Sequence, residues 1–156
     1  MTREQQDELN YFFVHVFNQI LACEEQALSG VGAKDLSVKE LHVLEAVADL
    51  TAQERNTMPQ IADALAIRVS SLTTAVNTLV RKGYLERGGE PGDRRVIRVR
   101  LTPKGEDANL LHARFHAHMV ESAAARLGDG ELDTLLRSLR QLDRFFHDMG
   151  RQDQTN

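Results

Sequence analysis

A chain of 156 residues is long enough for one domain with a real core and short for two. Its hydrophobic share of 42% and charged share of 27% are ordinary for a globular protein, and no apolar run approaches the roughly 20 residues that cross a bilayer, so a membrane role is excluded. The formal net charge of −4 argues at first against nucleic acid, but its distribution points the other way: between Thr57 and Lys104 nine Lys/Arg stand against four Asp/Glu. A basic module in an acidic body is the electrostatic footprint of a DNA-facing segment on a soluble carrier. The polar start Met1-Thr2-Arg3-Glu4-Gln5-Gln6 has no signal-peptide core, and a single cysteine, Cys23, leaves no internal disulfide, so the expected location is the cytoplasm.

In chain order, Leu9, Phe12, Phe13, Val16, Phe17, Ile20, Leu21 and Leu28 recur at three- and four-residue steps, which predicts one long amphipathic helix ended by Gly30 and Gly32. Ser37-Val38-Lys39-Glu40 reads as a capping box, opening a helix that turns Leu41, Leu44 and Val47 inward and stops in the polar stretch 51–56. Thr57-Met58-Pro59-Gln60 is a second cap, with proline in the first turn, before a short helix through Ile61, Ala62 and Leu65. Ser70 is the expected cap of the next helix, whose inner face is Leu72, Val76, Leu79 and Val80 and whose end is Gly83. Two such helices joined by a tight turn make a helix-turn-helix.

Tyr84-Leu85-Glu86-Arg87, a turn at 88–93, and the alternating run 96–101 predict a β-hairpin with an exposed tip, Ile97, Val99 and Leu101 on one face and Arg98 and Arg100 on the other. Thr102-Pro103 restarts a helix reaching about Arg126, and a last helix carries Leu132, Leu135, Leu136, Leu139, Leu142, Phe146 and Met149. The fold class is therefore mainly α with a small β-hairpin wing. A winged helix-turn-helix (37–102) is flanked by dimerisation helices (1–36 and 103–156) in a single domain. The outer helices carry more apolar surface than so small a module can bury, and a two-fold homodimer is the expected solution.

The second helix of the motif presents Ser70, Ser71, Thr73, Thr74 and Asn77, short polar side chains suited to base edges, with Arg68, Arg81 and Lys82 placed for phosphates. From Arg68 to Gly83 there is no Asp or Glu, whereas an ordinary solvated helix of that length mixes both signs. Arg94 and Arg95 stand at the hairpin tip, where arginine can enter a narrow minor groove, and Asp93 is placed to hold one of them.

Asp93-Arg94-Arg95, then Leu101-Thr102-Pro103-Lys104-Gly105, after Val80-Arg81-Lys82-Gly83-Tyr84-Leu85, resembles the MarR family of transcriptional regulators over nearly the whole chain. The resemblance implies a homodimer on a pseudo-palindromic double-stranded operator, with Ser70, Ser71, Thr73, Thr74 and Asn77 in the major groove and Arg94 and Arg95 on the wing. It also implies an effector at the junction of the outer helices and the winged module. Phe17-Asn18 with Glu24-Glu25, the run 34–42, and Leu111-His112-Ala113-Arg114-Phe115-His116 are similar to the fatty-acid-biosynthesis repressors of that family. That similarity implies an acyl group on acyl carrier protein, or a small hydrophobic ligand, as effector and partner.

His112 and His116 lie one helical turn apart, a spacing that chelates a single metal. By resemblance to the zinc-uptake repressors of the family, His42, His112, His116 and Glu24 or Glu25 would hold zinc, without the further histidines or cysteines that richer zinc sites carry. The alternative is a pair of hydrogen-bonded histidines at the dimer junction, with no cofactor required. His15, His118 and His147 read as surface residues. Cys23 invites comparison with peroxide sensors, but Glu24 and Glu25 beside it oppose the thiolate such a sensor needs, and a small helix residue is the better reading. No Gly-rich phosphate loop, nucleophile elbow or acid pair supports an enzyme.

Overall fold

The computed structural model describes the backbone of residues 1–30, 35–90 and 93–152, and the side chains of these other than 28–30, 90, 93–95 and 150–152. The chain forms two compact units, Met1–Phe115 and His116–Asn156. The first holds α1 (Arg3–Tyr11), a π-helical turn (Phe12–Val16), α2 (Phe17–Gly30), α3 (Val38–Ala52), α4 (Met58–Ala64), α5 (Val69–Arg81), β1 (Leu85–Glu90) and β2 (Asp93–Leu101). Helix α6 (Pro103–Ala124) begins there and runs unbroken into the second unit, which ends in α7 (Asp129–Gln152).

The core lies among α3, α4, α5 and the hairpin. Leu41, Leu44 and Val47 of α3, Ile61 of α4, Leu72, Val76 and Leu79 of α5 and Val99 of β2 are fully buried. Both expected capping boxes form. The Ser37 hydroxyl accepts from the Glu40 amide at 3.3 Å while the Glu40 carboxylate accepts from the Ser37 amide at 2.8 Å. At the start of α4, the Gln60 side-chain oxygen accepts from the Thr57 hydroxyl at 2.7 Å. Gly83 closes α5 with φ of +79°, the left-handed backbone a glycine adopts without strain.

Four expectations need correction. The single N-terminal helix is interrupted by the π-helical turn at Phe12–Val16. Each residue of an α-helix advances about 100°, so an inserted residue rotates the rest of the helix and splits the apolar stripe; Phe12, Phe13 and Phe17 all remain exposed. Helix α5 starts one residue before Ser70 with Arg68 as its N-cap and without a side-chain cap bond, so Ser70 sits within the first turn. Val80, placed on the inner face, is 37% exposed because the inner stripe is already filled by Leu72, Val76 and Leu79. The hairpin turn is tighter than expected: β1 continues through Gly88 and Gly89, paired with Arg98 and Ile97, to Glu90. Along β2, Val99 is buried but Ile97 is 52% exposed, because the hairpin has by then passed the edge of the core.

Pro91 and Gly92 of the expected turn, and Gly32, the second expected helix stop, lie outside the described residues, as does the proposed clasp between Asp93 and an arginine. Among the described residues no helix is long and apolar enough to cross a membrane.

Candidate nucleic-acid interface and histidine cluster

Helix α5 presents to solvent the face opposite its buried leucines and valine. Arg68, Ser70, Ser71, Thr74, Asn77 and Arg81 are exposed and Thr73 is half-buried. Thr73 Oγ1 donates to the Val69 carbonyl at 2.8 Å and Thr74 Oγ1 to the Ser70 carbonyl at 3.3 Å. A hydroxyl whose proton is spent on its own helix offers only acceptor lone pairs and a methyl outward. That combination suits the exocyclic amino groups and thymine methyls of a major groove. Arg94 and Arg95 are the second and third residues of β2, next to the hairpin turn; their side chains lie outside the described residues.

Lys82, expected beside Arg81 as a phosphate contact, is turned inward. Its ammonium donates to both Glu40 carboxylate oxygens, at 2.8 and 2.9 Å, and to the Asp35 carbonyl. Burial alone would raise the Glu40 carboxyl, but the bonds from Lys82 and Ser37 outweigh it and hold it below the ordinary value. The neighbouring Tyr84 hydroxyl donates to Asp35 at 2.7 Å, and Lys104 lies 3.9 Å from the centre of the Tyr84 ring. This cluster ties the end of α5 to the start of α3 and of α6.

A second polar pin was not foreseen in the sequence. Asn56 is 2% exposed, and its amide donates to the Val99 carbonyl at 2.8 Å and to the Thr51 hydroxyl at 3.2 Å. Its side-chain oxygen accepts from Arg98 at 3.0 Å. It thereby locks the root of the wing to the end of α3. Within the stretch 51–56 nothing in the sequence distinguishes Asn56 from its polar neighbours; the bridge between Thr57 and Arg98 is what carries it inward.

The candidate metal residues converge. Glu24 of α2, His42 of α3 and His112 of α6 belong to the first unit, and His116 follows His112 by one turn of the same helix. One ligand atom from each of the four lies within 4.8 Å of the others. His42 Nε2 stands 3.7 Å from Glu24 Oε2, and the rings of His42 and His112 are 5.5 Å apart. Glu24 and His112 are each 3% exposed; His42 and His116 are half-buried. Between the two glutamates the sequence left open, the helix phase selects Glu24, since Glu25 is exposed. Three imidazoles and one carboxylate are the donor number and kind that zinc takes, so the residues fit that ion. Cys23 is exposed and outside this set, as are the exposed His15, His118 and His147.

The family profile described as "MarR family" matches residues 34–96, a span that takes in α3, α4, α5, β1 and the start of β2. The fold superposes on Streptococcus pneumoniae FabT, whose crystal structure is a complex with DNA, with a TM-score of 0.83 and 33% identity over 92% of this chain and 99% of that one. The HTH-type transcriptional regulator YpoP of Bacillus subtilis (strain 168) is 29% identical over 83% of this chain and 86% of its own length. Staphylococcus aureus MepR, also solved with DNA, shares the fold at a TM-score of 0.76 with 18% identity, covering 88% of this chain and 95% of that one. The expected winged helix-turn-helix is thus observed, and with it the expectation of a regulator and not an enzyme: the chain belongs to the MarR family of DNA-binding transcriptional regulators.

Proposed function

We propose that this regulator is a cytoplasmic homodimeric repressor whose affinity for a pseudo-palindromic operator is set by zinc held at Glu24, His42, His112 and His116. The convergence of four ligand atoms within 4.8 Å, drawn from three helices far apart in sequence, carries this reading. When bound, the ion would cross-link α2, α3 and α6. Glu24 and the histidines would fix these helices relative to one another, and α3 also carries Glu40, the partner of Lys82 at the end of α5. An effector shifts DNA affinity only through a difference in its own affinity for the two protein shapes. Exposed apolar residues of α1, the π turn and α2, and separately of α7, supply the surface that pairing with a second copy buries.

A second reading rests on the 33% identity to FabT across nearly the whole chain. Together with the resemblance of residues 34–42 and 111–116 to fatty-acid-biosynthesis repressors, it supports an acyl group on acyl carrier protein as the effector. The deciding experiment is binding of the purified dimer to its own promoter DNA in EDTA, with added zinc, and with acyl-loaded carrier protein. A response to zinc alone, abolished by His112→Ala, supports the metal reading. A response to acyl carrier protein in EDTA that His112→Ala leaves intact overturns it.

A further inference from the structure

We infer that Glu45 is a second carboxylate of the metal centre, a positioning residue that balances the charge of the bound cation from outside its ligand set; the inference rests on the metal reading above. Glu45 follows His42 by three residues on α3, and its Oε2 lies 3.9 Å from Nδ1 of the buried His112. The side chain is 46% exposed and, with His42 and Asp49, lines an open cleft toward Ala64 and Leu65.

The charge count gives this placement its meaning. A divalent cation held by three neutral imidazoles and the Glu24 carboxylate leaves one unit of positive charge on a centre of which Glu24 and His112 are 3% exposed. A residual charge in so dry a place is disfavoured unless a counter-charge stands near. Glu45 supplies that charge, and a carboxylate facing a metal-bound imidazole also orients the ring and makes it a stronger donor to the ion. The local sequence points the same way. The helix neighbours of Glu45 at three and four residues are Leu41, His42, Ala48 and Asp49, none of them Lys or Arg. Two acids four residues apart on one helix face repel each other. A cation in the centre between α3 and α6 offsets that repulsion, so the acidic edge of the cleft favours the loaded state.

The test compares wild type, Glu45→Gln and His112→Ala in two measurements. Zinc affinity is read by competition with a chromogenic chelator, and the visible spectrum of the cobalt(II)-loaded protein reports the direct ligands. Glu45→Gln is expected to weaken zinc binding about 10- to 100-fold while leaving the cobalt bands in place. His112→Ala should alter the bands as well as the affinity. Unchanged zinc affinity in Glu45→Gln overturns the inference and leaves the four-ligand centre standing. Shifted cobalt bands in Glu45→Gln overturn it too, by making Glu45 a direct ligand. Wild-type protein that binds neither ion overturns the metal reading itself, and this inference with it.

Discussion

The Tyr84 hydroxyl donates to the Asp35 carboxylate at 2.7 Å, joining a residue just past α5 to the segment that leads into α3. Both partners are shifted by the contact. The bond from Tyr84, reinforced by Lys104 and Lys82, holds the Asp35 carboxyl below its ordinary value, and burial together with Asp35 pushes the Tyr84 phenol up to about 12.

Stability should therefore fall at both ends of the pH scale. Asp35 and Glu40 have lowered folded values, so their contribution is present above pH of about 4 and is lost as acid protonates them. Tyr84 has a raised value, so its contribution is present below its ordinary value of 10 and is lost as pH rises toward about 12. Thermal melts of wild type and Tyr84→Phe across pH should show the variant about 1–2 kcal/mol less stable at neutral pH, with a shallower alkaline decline. Parallel alkaline limbs in the two proteins would contradict the assignment.

Asn56→Ala should cost about 1–3 kcal/mol, since it strips partners from the buried Val99 carbonyl and from Arg98 together. Urea unfolding measures the loss. A cost near zero would mean that water replaces the amide and that the wing root is less dry than its burial indicates.

Gly105→Ala should destabilise by about 1–3 kcal/mol for a different reason. A methyl there would run into the backbone carbonyl oxygen of Tyr84 and crowd Leu101, and backbone cannot turn aside as a flexible side chain can. Gly130→Ala in α7 is the natural control, because nothing lies within 4 Å of the added carbon. Equal melting temperatures for the two variants would remove the close approach of α6 to Tyr84 from the account.

On DNA, Asn77→Ala should relax base preference by about 1–3 kcal/mol at one position of each half-site, read by binding to a panel of single-base operator variants. Arg94→Ala should instead weaken binding to all of them alike and lower the salt dependence by about one phosphate contact. An unaltered salt slope would take Arg94 off the backbone.

If zinc occupies the histidine cluster, adding it at about 100 times its dissociation constant should raise folding stability by about 2.7 kcal/mol. His112→Ala should erase that gain in a calorimetric scan. A gain that survives the substitution would place the ion elsewhere.

Much of the fold is legible in the sequence, and the reasons differ by element. The capping boxes at Ser37 and Thr57, the left-handed Gly83 and the inner face of α5 are encoded within single turns of chain, where spacing and side-chain chemistry suffice. The His112 and His116 pair is visible because one helical turn separates them. The features that spacing does not reveal depend on which element packs against which: the inward turn of Lys82 toward Glu40, the burial of Asn56 beneath Val99, and the exposure of Val80 and Ile97.

By itself, then, the sequence determined the order of elements, the winged helix-turn-helix and the polar, acid-free outer face of α5, because local periodicity, caps and residue composition act over a few residues. Only the tertiary structure decided that Glu24, and not Glu25, joins His42, His112 and His116, that Glu45 stands beside them, and that Lys82 serves the fold. Those outcomes hang on contacts between residues 18 to 92 positions apart in the chain, and such contacts are fixed by how side-chain volumes fill one shared core rather than by any local pattern.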